Sequence, residues 1–391
     1  MKKTFTVVVS MILVLAMVFG LAACGTKTET PAPATSASPA ESPAETPAEA
    51  PVVESLGTVR YGIHPNSSAF SAGFLLSELK LNEKYNFDIE MTVTTGPNVF
   101  SALAAGEMDI GFLGNGMAWH YFEDDAKIAI LTIDNLTNDD RLLVRTGLGI
   151  EPYAPIDVLY EKLPGLTMAL DLTTTPGTFL KSLINAINEG RDDADKLWYE
   201  DVEKAYPLKG SADKEIIIMN TTNSNITAVM QDPSVDCCIT YGNTKAILQN
   251  DTENYAIAAT TFTHLSNTVT PSTWAVNKEF AEKNPELVQA FVNALVDAMD
   301  FRSDEANWPE CIQLAIPFDQ LSEEDYDSTA AHWLSKAELT ELFATPDSQG
   351  YTYLNQIRNS HMGNNGLEDA TAPAANEVIL DQFIKTATGT M

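Results

Sequence analysis

Residues 94–116 read TTGPNVFSALAAGEMDIGFLGNG, a succession of loop, helix, strand and second loop. Gly96 and Pro97 predict a helix start, because proline is favoured in the first helical turn, where its missing N–H costs nothing. Gly106 predicts the end of this helix, because glycine readily adopts the left-handed conformation that terminates helices. The apolar run at residues 108–113 has the length of a strand. The stretch therefore predicts one unit of an α/β sheet.

The same order of features recurs 127 residues later in the chain (236 − 109 = 127). Residues 221–226 correspond to residues 94–99, and Asp236 corresponds to Asp109 at the start of a strand. The second strand is predicted at residues 237–240, and a polar loop follows it as in the first unit. Two matching units predict two similarly built lobes, and a chance match between two βαβ units is the alternative.

Short apolar strands alternate with amphipathic helices through most of the chain. The remaining strands are predicted at residues 58–63, 87–93, 128–133, 141–145, 166–170, 215–219, 255–259 and 274–276. This alternation predicts an α/β fold with mostly parallel sheets that carry helices on both faces. Residues 285–301 predict a long amphipathic helix, and the C-terminal part beyond them predicts further helices without identifiable chemistry.

The predicted folded part, from about residue 58 to residue 391, has the length of about two domains. We assign residues 58–146 to the first part of lobe one and residues 147–260 to lobe two. Residues 261–391 are predicted to return to lobe one and to form the C-terminal helices.

The N-terminus predicts a secretory signal, because Lys2 and Lys3 precede a largely apolar run at residues 7–21. The sequence Leu-Ala-Ala-Cys at residues 21–24 resembles the lipobox of bacterial lipoproteins. This resemblance implies that residues 1–23 are removed and that Cys24 becomes the lipidated first residue. A soluble secreted protein with an incidental cysteine is the alternative.

Residues 24–57 are predicted to form the lipidated cysteine and a disordered tether. The segment after Cys24 is rich in Pro, Ala, Thr, Ser and Glu and has almost no large apolar residue before Val52. Such a composition cannot bury enough apolar surface to offset the entropy of ordering.

The formal net charge of −31 argues against partners that are themselves anionic. A chain this acidic repels nucleic acid and anionic lipid headgroups. Solubility outside the cell is one explanation of the charge, and attraction of a cationic ligand is another. The remaining cysteines are odd in number, so they predict no disulfide framework and are assigned no chemistry: Cys237, Cys238 and Cys311.

Three short sequences carry a resemblance to a known family. Residues 102–112 read ALAAGEMDIGF, residues 163–165 read LPG before a predicted strand, and residues 283–288 read KNPELV before a long helix. This set resembles the solute-binding proteins of ABC importers of the nitrate/sulfonate/taurine type, a family that also includes binders of thiamine-precursor pyrimidines. The resemblance covers about residues 59–301.

This resemblance implies a two-lobed, periplasmic-binding-protein-like fold of type II with two crossing segments and a helical C-terminal part. It implies a lipid-anchored protein on the extracytoplasmic face of the membrane, with the permease and ATPase subunits of an importer as partners. We expect a monomer that binds a small molecule and needs no cofactor and no metal.

Polar loops follow the predicted strands, and ligands of open α/β sheets bind beyond the carboxyl ends of the strands. These loops are rich in Ser, Thr, Asn and Gly and contain no Lys or Arg. Several begin helices, so their free N–H groups and the positive helix ends could hold a small anion without a basic side chain. The candidate ligand-binding residues are His64, Asn66, Ser67, Thr95, Gly96, Asn115, Gly116, Thr174, Thr175, Asn223, Tyr241 and Asn243.

A structural role is the alternative for each candidate, because Thr, Asn and Gly cap helices and form turns in any protein. Contact with ligand is favoured for His64, because a turn needs no imidazole, and Tyr241 could stack on a planar ligand. Thr175 is also predicted to cap a helix whose first residue is Pro176. Asp171 could bind an amine or lie in solvent.

The sequence contains no signature of a known enzyme class. There is no Gly-rich phosphate motif, no Gly-x-Ser-x-Gly and no His-Glu-x-x-His. We interpret Asp109 and Asp236 as turn formers at the strand ends away from the cleft rather than as a catalytic pair. An extracellular enzyme on the same fold would have to use His64 with Asp171, and a sensor without a transporter is a further alternative.

Overall fold

The structure is a computed structural model that describes residues 54–64, 71–123, 125–200, 210–265, 271–319, 322–323, 326–364 and 372–390. The predictions for the signal peptide, for Cys24 and for nearly all of the tether concern residues outside these ranges. Asn66 and Ser67 also lie outside the described residues.

The strands of the described residues form two sheets. In chain order the strands are β1 (Thr58–Ile63), β2 (Asp88–Val93), β3 (Ile110–Leu113), β4 (Ile128–Thr137), β5 (Arg141–Arg145), β6 (Thr167–Leu170), β7 (Ile217–Asn220), β8 (Cys237–Thr240), β9 (Tyr255–Thr260), β10 (Pro271–Asn277) and β11 (Ala331–Trp333). The first sheet has the order β11-β4-β10-β3-β1-β2, and the second has the order β7-β6-β8-β5-β9. We call the parts of the chain that carry these sheets lobe one and lobe two.

The two sheets share one topology. In lobe one, β1 pairs in parallel with β2 and β3, and β10 is antiparallel to β3 and β4. In lobe two, β6 pairs in parallel with β7 and β8, and β5 is antiparallel to β8 and β9. The antiparallel strand of each sheet is the one that arrives from the other lobe. The α/β prediction is confirmed, but the expectation of mostly parallel sheets is wrong, because both sheets are mixed and five of the nine strand pairings in the described residues are antiparallel.

Hydrogen bonds at the start of the parallel strands confirm the repeat at residue level. The carboxylate of Asp109 accepts the backbone N–H of Arg60 at 2.8 Å, and that of Asp236 accepts the backbone N–H of Thr167 at 2.8 Å. In return, the N–H groups of Asp109 and Asp236 donate to the carbonyls of the same two residues. Both aspartates therefore join neighbouring strands at the ends remote from the loops, so they bridge strands rather than form turns.

The first crossing between the lobes lies earlier than the sequence indicates. Strand β5 pairs with β8 and β9 in the second sheet, so the chain leaves lobe one at residues 138–140. The boundary that we placed after residue 146 is therefore wrong. A short apolar strand has the same sequence pattern in either sheet, so only its pairing reveals its lobe. The second crossing follows β9, which ends at Thr260.

Helices cover the sheets. They are α1 (Ala72–Glu78), α2 (Leu81–Lys84), α3 (Gly96–Ala105), α4 (Asn115–Ala118), α5 (Ile156–Lys162), α6 (Thr175–Asn188), α7 (Ile226–Val229), α8 (Gly242–Asn250), α9 (Thr261–His264), α10 (Lys278–Lys283), α11 (Pro285–Ser303), α12 (Trp308–Asp319), α13 (Lys336–Leu342), α14 (Gln349–Asn364), α15 (Ala375–Val378) and α16 (Asp381–Thr388). Within the described residues, no helix is both long and apolar enough to span a membrane.

Helix α3 follows the sequence prediction closely. A proline lies in its first turn, and it ends at Gly106, whose φ of 73° is left-handed. Its buried residues, Val99 and Leu103, pack on the first sheet at Gly111, where an added Cβ would lie 2.5 Å from Cγ1 of Val99. Glycine in β3 therefore lets the helix approach the strand closely.

The C-terminal part belongs to lobe one. Helix α11 buries its apolar residues in the core of that lobe, and β11 extends the first sheet beside β4. Arg302 at the end of α11 is fully buried and donates to the carboxylate of Asp134 at 3.0 Å. The sequence predicts the helices of this part but not β11, which has three residues and pairs along one edge only.

Candidate functional site

The loops at the carboxyl ends of the lobe-one strands converge on His64. A Cβ added to Gly96 would lie 3.8 Å from Cδ2 of His64, and one added to Gly114 would lie 3.9 Å from its Nε2. The imidazole lies against Phe112 with a centroid distance of 4.8 Å. Thr95 is exposed immediately before α3. The structure therefore brings three predicted loops together around the histidine.

The predicted loops of lobe two lie at the start of α6 and α8. Helix α6 begins at Thr175, so its capping position is Thr174 and not Thr175 as predicted. The hydroxyl of Thr174 donates to the carbonyl of Asp171 at 3.2 Å, which closes the turn before the helix. This leaves the Thr175 side chain available for a different contact.

The two sets of loops meet at Gly116 and Thr175. A Cβ added to Gly116 would lie 3.1 Å from the backbone nitrogen of Thr175 and 3.4 Å from the carbonyl carbon of Thr174. Asn115 is the first residue of the same short helix, α4. Because the loop after β3 touches the start of α6, the polar strand-end loops of the two lobes are in contact here, and we call the region around this contact the cleft.

Asn223 has a structural role in lobe two. Its side-chain oxygen accepts a hydrogen bond from the Thr240 hydroxyl at 2.6 Å, and its side-chain nitrogen donates to the backbone carbonyl of Tyr241 at 3.3 Å. These bonds join the loop after β7 to the loop after β8. Asn223 therefore positions Tyr241 just before α8, which supports a structural role for its side-chain amide rather than contact with ligand.

Tyr241 lies in a strongly acidic environment. Burial, together with the charges of Asp140, Asp171 and Asp139, raises the pKa of the Tyr241 phenol to about 12. The carboxylate of Asp171 accepts bonds from the N–H and the hydroxyl of Thr173, so it stabilises its own turn. Aromatic and carboxylate groups thus share the lobe-two side of the cleft.

Asp140 is the residue at the cleft that the sequence analysis missed. It lies in the first crossing, is 4% exposed, and accepts a hydrogen bond from the Thr175 hydroxyl at 2.8 Å. Burial raises the pKa of its carboxyl group from 3.8 to about 7, although the bond from Thr175 lowers it. The signal in the sequence was the run Asn-Asp-Asp at residues 138–140, between two apolar strands. Two adjacent acids at a crossing place a charge beside the cleft.

The described part of the chain also contains possible metal ligands and three cysteines. Among those residues, no group of three or more His, Cys, Asp or Glu side chains could hold a metal ion. Cys237, Cys238 and Cys311 are buried free thiols, as expected for small apolar residues of a core.

A concavity lies on lobe two, away from the contact between Gly116 and Thr175. It has a volume of about 510 Å³ and is lined mainly by the segment after β5, which includes Thr146 and Tyr153, and by the first residues of β9, which include Ile257. Tyr153 is 52% exposed and has a left-handed φ of 56°. We call this concavity the distal groove.

The chain is similar in sequence to one described protein family and to a named relative. The model of the family described as NMT1/THI5 like matches residues 202–305. A protein of Brucella abortus (strain 2308), named as a candidate binding protein, is 22% identical over 301 residues, which cover 73% of this chain and 79% of the relative.

Solved structures share the fold at low sequence identity. The periplasmic nitrate-binding protein NrtA from Synechocystis PCC 6803 is similar with a TM-score of 0.61 and 12% identity, covering 85% of this chain and 89% of that protein. The periplasmic aliphatic sulphonate binding protein SsuA from Escherichia coli is similar with a TM-score of 0.60 and 14% identity, covering 84% and 99%. The two-lobed fold that the sequence resemblance implied is confirmed.

An enzyme shares this fold as well. The desulfurization enzyme DSZB is similar with a TM-score of 0.54 and 14% identity, covering 85% of this chain and 99% of that protein. A mutant of DSZB has also been solved in complex with biphenyl-2-sulfinic acid. The fold therefore serves both solute binding and catalysis, and the residues of the cleft have to distinguish them.

Proposed function

We propose that this chain is the extracytoplasmic solute-binding component of an ABC importer and that it captures a small polar organic solute between its lobes. The observation that carries the proposal is the approach of Gly116 to Thr175, which brings polar strand-end loops of both lobes together. A solute held there touches both lobes, so it binds the closed arrangement more tightly than the open one. Closure about the two crossings follows from this difference in affinity.

The cleft offers a ligand both donors and an acceptor. Helices α3 and α6 begin at Gly96 and Thr175, and helix starts carry N–H groups without intrahelical partners that can donate to carbonyl or anionic groups. The carboxyl group of Asp140 accepts N–H donors, and its buried charge disfavours a second anion nearby. A neutral or cationic pyrimidine-like solute, which has donors and acceptors, fits this pair of features better than a sulfonate.

A sulfonate or carboxylate remains the second candidate class, because the helix starts alone suit an anion and similar structures include a sulphonate-binding protein. If the helix starts bind the ligand and Asp140 does not contact it, removal of the Asp140 carboxyl group should leave the affinity unchanged. The two classes therefore differ in their response to an Asp140→Asn substitution.

A thermal-shift screen at about pH 7.5 tests the proposal with four probes: an aminopyrimidine, a primary amine, an alkanesulfonate and nitrate. A ligand present at about 100 times its dissociation constant stabilises the folded state by about 2.7 kcal/mol, which raises the melting temperature measurably. We expect the aminopyrimidine to stabilise the native protein and to lose its effect in Asp140→Asn. Stabilisation by alkanesulfonate that survives Asp140→Asn would select the second class. If no probe stabilises the protein, the proposed ligand classes fail.

The alternative function is an extracellular enzyme, and the observation that favours it is the fold shared with DSZB. Such an enzyme would need His64, and Asp171 is committed to its own turn by bonds from Thr173. Product formation from a bound aminopyrimidine or sulfinate, abolished by His64→Ala, would establish the enzyme. A ligand recovered unchanged after prolonged incubation supports the binding protein.

We further propose that Cys24 carries a lipid that anchors the protein to the outer face of the cell membrane and that the protein acts as a monomer. The Leu-Ala-Ala-Cys sequence supports the anchor. Expression with a radiolabelled fatty acid tests it: label in the native chain and none in Cys24→Ser supports the anchor, and equal label in both excludes it. Release of the Cys24→Ser protein into the medium would show that the lipid anchor has been lost.

A further inference from the structure

Residues 327–330 connect the two lobes through side-chain contacts, separately from the two covalent crossings. We call these residues the strap. The strap leads directly into β11, which pairs with β4 in the first sheet. The carbonyl of Ala330 also accepts the backbone N–H of Asn138 at 2.6 Å. By chain continuity and by pairing, the strap belongs to lobe one.

The carboxylate of the strap bonds to two cations of lobe two. Asp327 accepts a hydrogen bond from Lys245 Nζ at 3.0 Å and lies 3.3 Å from a terminal nitrogen of Arg141. Lys245 is in α8 and is fully buried, and Arg141 opens β5 and is 2% exposed. Asp327 is itself fixed by the N–H and the hydroxyl of Thr329. The ion pairs are therefore shielded from water.

The same charges join the strap to the first crossing. Lys245 Nζ also donates to Asp139 at 2.6 Å, and the second oxygen of Asp139 accepts the backbone N–H of Gly242 at 2.9 Å. One buried ammonium group thus bonds to a crossing residue and to the strap. The start of α8, which carries Tyr241 and Asn243, is held by both.

Asn138 connects all three segments between the lobes. Its side-chain nitrogen donates to the carbonyl of Thr329 in the strap at 3.0 Å. Its side-chain oxygen accepts the backbone N–H of Phe262 in the second crossing at 2.8 Å. The two covalent crossings and the strap therefore form one hydrogen-bonded assembly.

Separation of the lobes would have to break or stretch the contacts of Asp327. Burial alone would raise the pKa of Asp327, but the charges of Lys245 and Arg141 and the bond from Thr329 hold it well below its ordinary value. A buried ion that loses its partner keeps its desolvation penalty without the compensating attraction. Two peptide crossings permit rotation, whereas a buried ion pair opposes any rotation that parts its members.

We propose that the strap is a third, noncovalent link between the lobes that limits their opening and biases the ligand-free protein toward the closed arrangement. This proposal does not rest on the identity of the ligand. The partners of Asp327 lie next to the start of α8, so a change in the strap reaches the ligand loops through Lys245.

Hydrogen exchange of the ligand-free protein, read by mass spectrometry, tests the strap in an Asp327→Asn variant. Asparagine keeps the shape of the side chain and removes its charge. We expect peptides that cover residues 114–118 and 174–178 to exchange about threefold faster or more, because these segments face each other across the cleft. Faster exchange confined to residues 138–142 and 241–246 would show local loosening only, and it would overturn the proposal.

Asp297→Asn is the matched control. Asp297 pairs with Lys84 at 2.6 Å and with Tyr85 at 2.7 Å, all within lobe one, so its loss should leave exchange at the cleft unchanged. If Asp327→Asn does not fold, Arg141→Gln removes the 3.3 Å contact with Asp327 and the bonds from Arg141 to Thr329, and it should accelerate the same cleft peptides to a smaller extent. Unchanged exchange at the cleft in a folded Arg141→Gln protein would equally overturn the proposal.

Discussion

The backbone of Gly116 in lobe one lies against the backbone of Thr175 in lobe two, so closely that a Cβ on Gly116 would be 3.1 Å from the Thr175 nitrogen. Few Cβ atoms approach another atom this closely, and the atom that would be met belongs to the backbone. Glycine at this position therefore permits the lobes to touch. The contact also places the start of α6 directly opposite the loop after β3.

Gly116→Ala should weaken ligand binding by keeping the lobes slightly apart. The added methyl group cannot be accommodated by a change of side-chain rotamer, so the loss of closed-state contacts should lower affinity by about tenfold, or ~1.4 kcal/mol. Titration calorimetry with the solute found in the screen measures this change. The control is Ala105→Val, which adds bulk at an exposed site of lobe one. Unaltered affinity in Gly116→Ala would show that closure does not need this contact.

Thr175→Val should destabilise the protein because Asp140 would lose the donor of its 2.8 Å hydrogen bond. A buried acceptor left without its donor costs about 1–3 kcal/mol. Urea unfolding measures the loss, and Thr175→Ser, which keeps the hydroxyl group, should retain most of the stability. Equal losses in both variants would instead assign the effect to packing of the methyl group.

Asp140 should make stability depend on pH near neutrality. Burial raises the pKa of its carboxyl group from 3.8 to about 7 while Thr175 lowers it; among the neighbouring charges Asp139 raises it, and Arg141 and Lys245 lower it. The folded state therefore binds the proton more tightly than the unfolded state. Its contribution to stability should fall as pH rises from about 4 to about 7 and then level off.

Comparison with Asp140→Asn isolates this effect, because the amide does not titrate. The variant should gain stability relative to the native protein as pH rises, by an amount on the order of 1–4 kcal/mol in total. Urea unfolding at several values between about pH 4.5 and pH 8 gives the difference. Two parallel stability curves would mean that the carboxyl group is not desolvated in solution.

Lys245→Met should be strongly destabilising, because Asp139 and Asp327 would lose the buried ammonium group between them. Removing one partner of a buried ion pair costs about 3–5 kcal/mol. Lys84→Met is the contrasting variant, since the Lys84–Asp297 pair is largely exposed and contributes less than about 1 kcal/mol. Similar melting temperatures for the two variants would contradict the buried network.

Asp109→Ala and Asp236→Ala should lower stability and leave ligand affinity unchanged. Each aspartate accepts the N–H of a neighbouring strand at the end remote from the cleft, so each loss should cost about 1–3 kcal/mol. Asp109→Ala should cost somewhat more than Asp236→Ala, because Asp109 also pairs with the guanidinium group of Arg60. A variant with native stability but altered ligand affinity would show that the substituted aspartate has a role in ligand binding.

The sequence predicted those parts of the fold that have a local cause. Residues 94–116 form the predicted loop, helix and strand because proline, glycine and the apolar pattern act within a few residues. The 127-residue repeat predicted the equivalence of Asp109 and Asp236 for the same reason. Such patterns report a residue's own segment and say little about its distant partners.

The parts that the sequence did not predict depend on contacts between distant segments. Asp140 and Thr175 are 35 residues apart, and Lys245 and Asp327 are 82 residues apart. Strand β5 shows no local sign that it pairs in lobe two, so the boundary was placed too late. The capping position of α6 was misassigned by one residue, since Thr174 and Thr175 are chemically identical.

The central claim is that a small solute binds between the two lobes, beside the contact of Gly116 with Thr175, and hydrogen exchange on solute binding tests it most directly. The account predicts slower exchange in peptides covering residues 114–118, 174–178 and 241–246 when the stabilising probe is added. Protection confined to residues 146–153 and 255–257, which line the distal groove, with no change at the cleft, would contradict it.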